Sequence, residues 1–139
     1  MPISSIGLGL GHERGTAISG EKSYSLNNVT VHGSQYGIAA GGDHIIATCN
    51  NVEVKYCTRS GVIALNNGTI VLMGLETTVH HYFVGLELFG GGSSKILLVS
   101  PLTKKTVSIS NVSCNWTTSG GTKLELIKNV EFEEIQNLN

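Results

Sequence analysis

The sequence predicts an all-β fold: a right-handed parallel β-helix, or solenoid, with three short strands per coil of about 24 residues and five to six coils. Three observations predict it. Three short apolar motifs recur in a constant order along the chain. Glycine occurs 18 times and proline twice, so the chain turns often and does so with Gly, Asn and Ser. Finally, no window of about 12 residues carries apolar positions at i, i+3, i+4 and i+7, the mark of an amphipathic helix.

The first motif is apolar-x-apolar. It reads Ile6/Leu8, Val29/Val31, Val52/Val54, Thr77/Val79, Val107/Ile109 and Val130/Phe132, at spacings of 23, 23, 25, 30 and 23. Asn27-Asn28 precedes the second copy and Asn50-Asn51 the third. The second motif is glycine before a short apolar pair: Gly37-Ile38, Gly61-Val62 and Gly85-Leu86, with Gly15-Thr16 as a weaker early copy. The third runs Ile45-Ile46-Ala47, Ile70-Val71-Leu72, Ile96-Leu97-Leu98 and Leu124-Glu125-Leu126. Three strands cycling at this period leave no room for helices between them. Each strand must return one coil later, paired in parallel ~4.8 Å along the axis. Alternate side chains then form inward ladders such as Ile38/Val62/Leu86, each large member contributing about 1.5–3 kcal/mol on burial. The glycines of the second motif are expected where the backbone bends. An antiparallel sandwich also has short strands 8–12 residues apart, but it has no reason to repeat three distinguishable motifs at a longer period.

The 139 residues read as a single domain, 1–139, with a corner-loop insertion at 89–103 and a C-terminal capping tail at 131–139. Within the insertion, Gly90-Gly91-Gly92-Ser93-Ser94 reads as a flexible loop. A net charge of −1 with scattered Lys and Arg gives no electrostatic reason to expect nucleic acid. No stretch is long and apolar enough for a membrane span, and residues 1–10 lack the pattern of a signal peptide. Three cysteines, Cys49, Cys57 and Cys114, do not describe a disulfide framework. The compartment expected from this is a cell interior or a viral particle rather than a secreted setting.

Val29-Thr30-Val31-His32-Gly33-Ser34, Gly61 to Asn67, Asn115-Trp116 with Gly120-Gly121, and above all Ser100-Pro101-Leu102-Thr103-Lys104-Lys105-Thr106-Val107-Ser108 carry a family resemblance. Over residues 25–127 the chain resembles right-handed β-helix repeat proteins of the pectate-lyase-like superfamily, of the type abundant in algae, other protists and the viruses that infect them. The resemblance implies the fold. It leaves activity open, because that fold serves polysaccharide lyases and hydrolases, attachment proteins and binding modules alike.

Chemistry is sparse. Glycoside hydrolysis needs two carboxylates a fixed distance apart, and calcium-assisted lyases need several around a cation. Here there is one aspartate, Asp43, and nine dispersed glutamates. No catalytic residue is assigned. Strand register does suggest an outward polar ridge of His32, Lys55 and His80, with Glu53 between Thr30 and Thr78 in the row beside it. These four residues, His32, Glu53, Lys55 and His80, are the candidate ligand-binding set, weighed against a merely solvated face. No metal site is expected: Lys55 separates His32 from His80, and adjacent His80 and His81 on a strand should face opposite sides. Cys49 reads as a buried thiol, and Asp43-His44 as turn chemistry. Gly7-Leu8-Gly9-Leu10-Gly11 lacks the helix a phosphate loop requires. The sequons at Asn28, Asn67, Asn111 and Asn115 are expected by chance in a chain rich in Asn, Ser and Thr.

The function expected is a non-catalytic structural or binding module with no cofactor. Its partners would be a glycan, another protein, or a second copy joined through the β-helix ends or corner loops. The alternative is a carbohydrate-active enzyme whose site a partner chain completes.

Overall fold

The structure is a computed structural model that describes residues 6–7, 16–18, 22–32, 35–56, 58–81, 83–111 and 113–138, with side chains from residue 22 onward. Cys57, Gly33-Ser34 and most of the early glycine run lie outside the described residues.

The chain winds as a right-handed parallel β-helix of three five-stranded sheets. The first sheet stacks β1 (Ile6–Gly7), β4 (Thr30–His32), β7 (Glu53–Lys55), β10 (Thr78–His80) and β13 (Ser108–Ile109). The second stacks β2 (Thr16–Ile18), β5 (Tyr36–Gly41), β8 (Ser60–Leu65), β11 (Val84–Phe89) and β14 (Cys114–Ser119). The third stacks β3 (Tyr24–Asn27), β6 (Ile46–Asn50), β9 (Thr69–Met73), β12 (Lys95–Val99) and β15 (Ile127–Val130). Every pairing is parallel.

Register confirms the central repeat. Ile38 pairs with Val62 and Val62 with Leu86. Val31, Val54 and Val79 align in the first sheet, and Ile70 aligns with Ile96 in the third. All of these side chains are fully buried in one apolar core. That core is narrow in the early coils, where Ala40, Ala47 and Cys49 line it, and there Tyr24 packs against it, its hydroxyl donating to the Ala39 carbonyl at 2.6 Å.

The flanking copies slip. Ile6 pairs with Val31 rather than with Val29, and Thr16 pairs with Tyr36. Ala47, not Ile45, stands beside Ile70. Val79 meets Ser108, one residue from the expected Ile109. Leu124–Leu126 form a 3-10 turn, and the strand begins at Ile127, which pairs with Ile96. Val130 belongs to that strand, and Phe132 opens a helical turn. At the chain's ends the motifs are short, so a two-residue match reads equally well in several registers.

Helices are not wholly excluded either. One turn, α1 (Lys104–Val107), replaces a corner, and another, α2 (Phe132–Ile135), follows the last strand. Thr103 and Thr106 close a capping box on α1, satisfying two backbone donors that a corner would leave open. Leu102 and Val107 reach back into the core.

The bends fall elsewhere than expected. Gly37, Gly61 and Gly85 lie inside strands. At Gly85 glycine is required by crowding, since a Cβ would overlap the Ser108 hydroxyl and the Asn115 carbonyl. The corners turn through left-handed residues instead. Asn28, Asn51 and Gly74 share one corner column, and Asn66, Gly90 and Gly120 another. Asn tolerates this region better than most residues, and here its amide also bridges coils, Asn51 Oδ1 accepting the Glu76 N–H of the next coil at 3.2 Å.

Gly90 to Ser94 forms a corner tied by hydrogen bonds to the preceding coil. Ser94 Oγ accepts from the Asn67 N–H at 2.8 Å and donates to the Gly90 carbonyl at 2.7 Å, while Asn67 Oδ1 accepts from the Ser93 N–H at 2.9 Å. The range 89–103 therefore holds two corners with β12 between them. The tail lies along the third sheet's outer face, where Ile135 and Leu138 cover Val71, Leu97, Val99 and Val130.

Two substitutions check the ladder. Leu86→Ala, in the fully buried column, should lower unfolding free energy by ~2–5 kcal/mol. Leu75→Ala, 77% exposed at a corner, should change it by less than about 0.5 kcal/mol. Urea unfolding followed by circular dichroism measures both, and equal effects would refute the core assignment.

Candidate functional site

Two surfaces gather polar chemistry. The first is the outer face of the first sheet. Its three central strands, β4, β7 and β10, are three residues long with a buried Val at each centre, so the flanking residues point outward. Parallel register then stacks His32, Lys55 and His80 in one column and Thr30, Glu53 and Thr78 in the next.

The structure brings Glu53, Lys55 and His80 of the expected residues into contact. Glu53 Oε2 lies 2.8 Å from His80 Nε2, one coil away, and Glu53 Oε1 lies 3.6 Å from Lys55 Nζ. His32 continues the column beside Lys55, half-buried. The hydrogen bond from His80 holds the Glu53 carboxyl below its ordinary pKa, with the charges of Lys55 and His80 adding to the effect against partial desolvation. Glu53 is therefore ionised and committed to its neighbours.

Sequence reasoning missed two members of this cluster. Tyr56 and His81 are both left-handed, at φ of 59° and 61°. That conformation ends the strand and cancels the alternation expected for His80 and His81. Their rings fall on the same side, with Nδ1 atoms 2.5 Å apart and centroids 4.7 Å apart. The Tyr56 ring stands 5.0 Å from that of His81, and Lys55 Nζ sits 5.6 Å from the Tyr56 centroid. Among the described residues no three His, Cys, Asp or Glu side chains are placed to hold one ion.

The second surface is a groove on the outer face of the second sheet. By register, Ala39, Ile63 and Glu87 form one column, and Gly41, Leu65, Phe89 and Ser119 another. Ala39 and Ile63 point outward yet are only 8% and 5% exposed. They form the floor beneath Tyr36, Arg59, Leu65 and Phe89, around a cavity of about 380 Å³. Arg59 lies over the Tyr36 ring, its Cζ 5.6 Å from the centroid. Ser60 Oγ donates to Glu87 Oε1, fixing that carboxylate at the side of the groove. A signal for this groove was present: Ile63 and Leu65 are apolar at positions that register makes outward, where polar residues are usual.

The remaining sequence candidates are structural. Cys49 is fully buried in β6, and burial pushes its thiol up to about 12, so it stays protonated. Asp43 and His44 occupy the turn before β6, with His44 left-handed. Asn111 Nδ2 donates to Ser108 Oγ and to Asn115 Oδ1, both at 3.0 Å, so these two sequon residues brace a corner. No helix among the described residues is long and apolar enough to cross a membrane.

No protein-family model, curated protein or solved structure matches this chain.

Glu53 gives a pH test. Its folded pKa is lowered, so its contribution to stability is present above the unfolded value of about 4.3 and is lost as pH falls through the folded value. Wild-type stability should drop more steeply than that of Glu53→Gln below about pH 4.5. Parallel pH series of urea midpoints would measure this, and superimposable profiles would refute the pairing.

Proposed function

We propose that the chain is a non-catalytic binding module that recognises a glycan through the groove on the second sheet. The observation that carries this reading is an apolar floor, Ala39 and Ile63, walled by two aromatic rings and set between an arginine and a fixed carboxylate. A sugar ring needs both features. Its C–H face desolvates against flat apolar or aromatic surface, and its hydroxyls need charged donors and acceptors held in place. The groove's volume suits one or two rings and falls in the ordinary range for ligand sites.

The binding reading is preferred to a catalytic one because of how the carboxylates are engaged. Glu53 bonds His80 and Lys55, and Glu87 accepts from Ser60. A general acid needs a raised pKa, whereas Glu53 is shifted the opposite way. Kinship with pectate-lyase-like repeat proteins belongs to this same proposal and rests on the motifs around Ser100 to Ser108.

Titration of neutral and uronate-containing oligosaccharides against the protein, followed by calorimetry, tests the reading. Arg59→Ala and Phe89→Ala should each weaken binding by roughly tenfold, about 1.4 kcal/mol. Lys128→Ala, on a different sheet, should leave it unchanged. If no oligosaccharide binds, or if the groove variants bind as wild type does, the proposal fails.

A further inference from the structure

We infer that the outer face of the third sheet is a docking surface for an acidic amphipathic segment of a partner protein, and that the chain's own tail covers it as a removable strap. The inference is independent of the groove, which lies on the second sheet.

The face is built to be covered. Alternation along β6, β9, β12 and β15 sends Ile70, Leu72, Ile96 and Leu98 into the core and turns Ile46, Val71, Met73, Leu97, Val99 and Val130 outward. An outward sheet face in water is ordinarily polar. Here Val71, Leu97, Val99 and Val130 are at most 5% exposed, with Ile135 and Leu138 of the tail packed over them.

The tail keeps this place by packing alone. Its anchor ends at Glu131, whose Oε2 accepts from Ser100 Oγ at 2.8 Å. From Phe132 to Leu138, among the described residues, the hydrogen bonds close within the tail. Asn137 N–H donates to the Glu134 carbonyl at 3.3 Å, Leu138 N–H to the Ile135 carbonyl at 3.2 Å, and Asn137 Nδ2 to the Glu133 carbonyl at 3.4 Å. No residue of α2 is fully buried. The segment can therefore lift away without leaving any backbone donor or acceptor of the coils unpaired, which no strand of the sheet could do.

The chemistry of the occupant is read from what sits there and what is left empty. Phe132, Ile135 and Leu138 recur at every third position, the stripe of a short helix laid on an apolar surface. Phe132 is 51% exposed, so the tail uses only part of that stripe. Leu138 divides the surface. A cavity of about 230 Å³ beside Tyr24 and Thr48 lies on one side, and one of about 410 Å³ beside His44 and Lys95 on the other, with Ile46 lining both. A longer amphipathic helix would fill the space that two side chains leave open. Lys95 lines the larger cavity and Lys128 continues the Val71/Leu97 column, and among the described residues neither is paired with a carboxylate. Asp43 is the one acid at the larger cavity. Two free ammonium groups against one carboxylate favour an acidic segment, and the tail now seated there carries Glu133 and Glu134. Tethered at Glu131, that tail competes at an effective concentration on the order of millimolar, so it holds the surface closed to weak ligands.

The probe is a fluorescein-labelled peptide with the sequence of residues 129–139, titrated by fluorescence anisotropy against the whole chain. It should bind the Ile135→Ser/Leu138→Ser double variant at micromolar concentration and wild type at least tenfold more weakly. Leu138→Ala, a gentler release, should fall between them. The same peptide with its three glutamates replaced by lysine should bind the double variant at least tenfold more weakly, as should the original peptide against a released chain that also carries Leu97→Ser. Equal binding to wild type and the double variant would overturn the inference, as would no binding to either released chain. Loss of the β-sheet circular dichroism signal in both released chains would overturn it too, because a removable strap cannot be what holds the coils together. If wild type instead forms a dimer that the peptide dissociates, the occupant is the tail of a second copy and the partner assignment fails.

Discussion

Parallel pairing between successive coils is the constraint from which the remaining structure follows. Each strand must come back about 4.8 Å above its predecessor and in register, because its backbone donors and acceptors have no other partner. Once Val31, Val54 and Val79 align, everything else in those coils is aligned with them. Burial and hydrogen bonding then reinforce each other. A slip of one residue would turn the whole valine column toward water while leaving the same number of backbone bonds. The hydrophobic effect thus chooses the register, and the backbone enforces it.

Corners obey the same rule by different means. Three turns per coil require the chain to leave the β region briefly, and a left-handed residue does so in the fewest steps. Asn28, Asn51 and Gly74 do this in one column, Asn66, Gly90 and Gly120 in another. Where Asn67 donates to Ser94 and accepts from Ser93 across adjacent coils, side chains tie the corner as the backbone ties the strands. Turn chemistry is consequently stacked as well, and a corner residue meets its equivalent rather than its sequence neighbours.

This explains what was legible in the sequence. The inward ladders were, because burial forces similar residues to recur: Ile38, Val62 and Leu86 betray themselves by type alone. The outward column of His32, Lys55 and His80 was legible by subtraction from the inward one. Motifs in the last circuit were harder. Val107 and Leu102 serve the core from a helical turn and its approach, so they look like strand residues without being in one. Tyr56 and His81 were illegible for a sharper reason. Alternation predicts facing only while the chain stays extended, and neither residue carries the Asn or Gly signature of a left-handed position. The groove was readable in principle from outward Ile63 and Leu65, but an isolated exposed apolar residue is ordinary. Only their overlap with Tyr36 and Phe89, which come from neighbouring coils, makes them a floor and a wall.

Stacking also sets an electrostatic problem that Glu53 solves. Cationic groups one strand apart repel by about 1 kcal/mol in water, and by more near a low-dielectric core. A column of His32, Lys55 and His80 invites that repulsion whenever its imidazoles are protonated. Glu53 stands in the adjacent column, two residues before Lys55 and beside Thr78 of the next coil. From there one carboxylate reaches both Lys55 and His80, which no member of the cationic column could do for its neighbour. Its contact with Nε2 holds the His80 ring, whose Nδ1 lies against the left-handed His81. A single anion placed by register therefore organises the whole polar end of the first sheet, and the chemistry of that face is a consequence of how the coils pair.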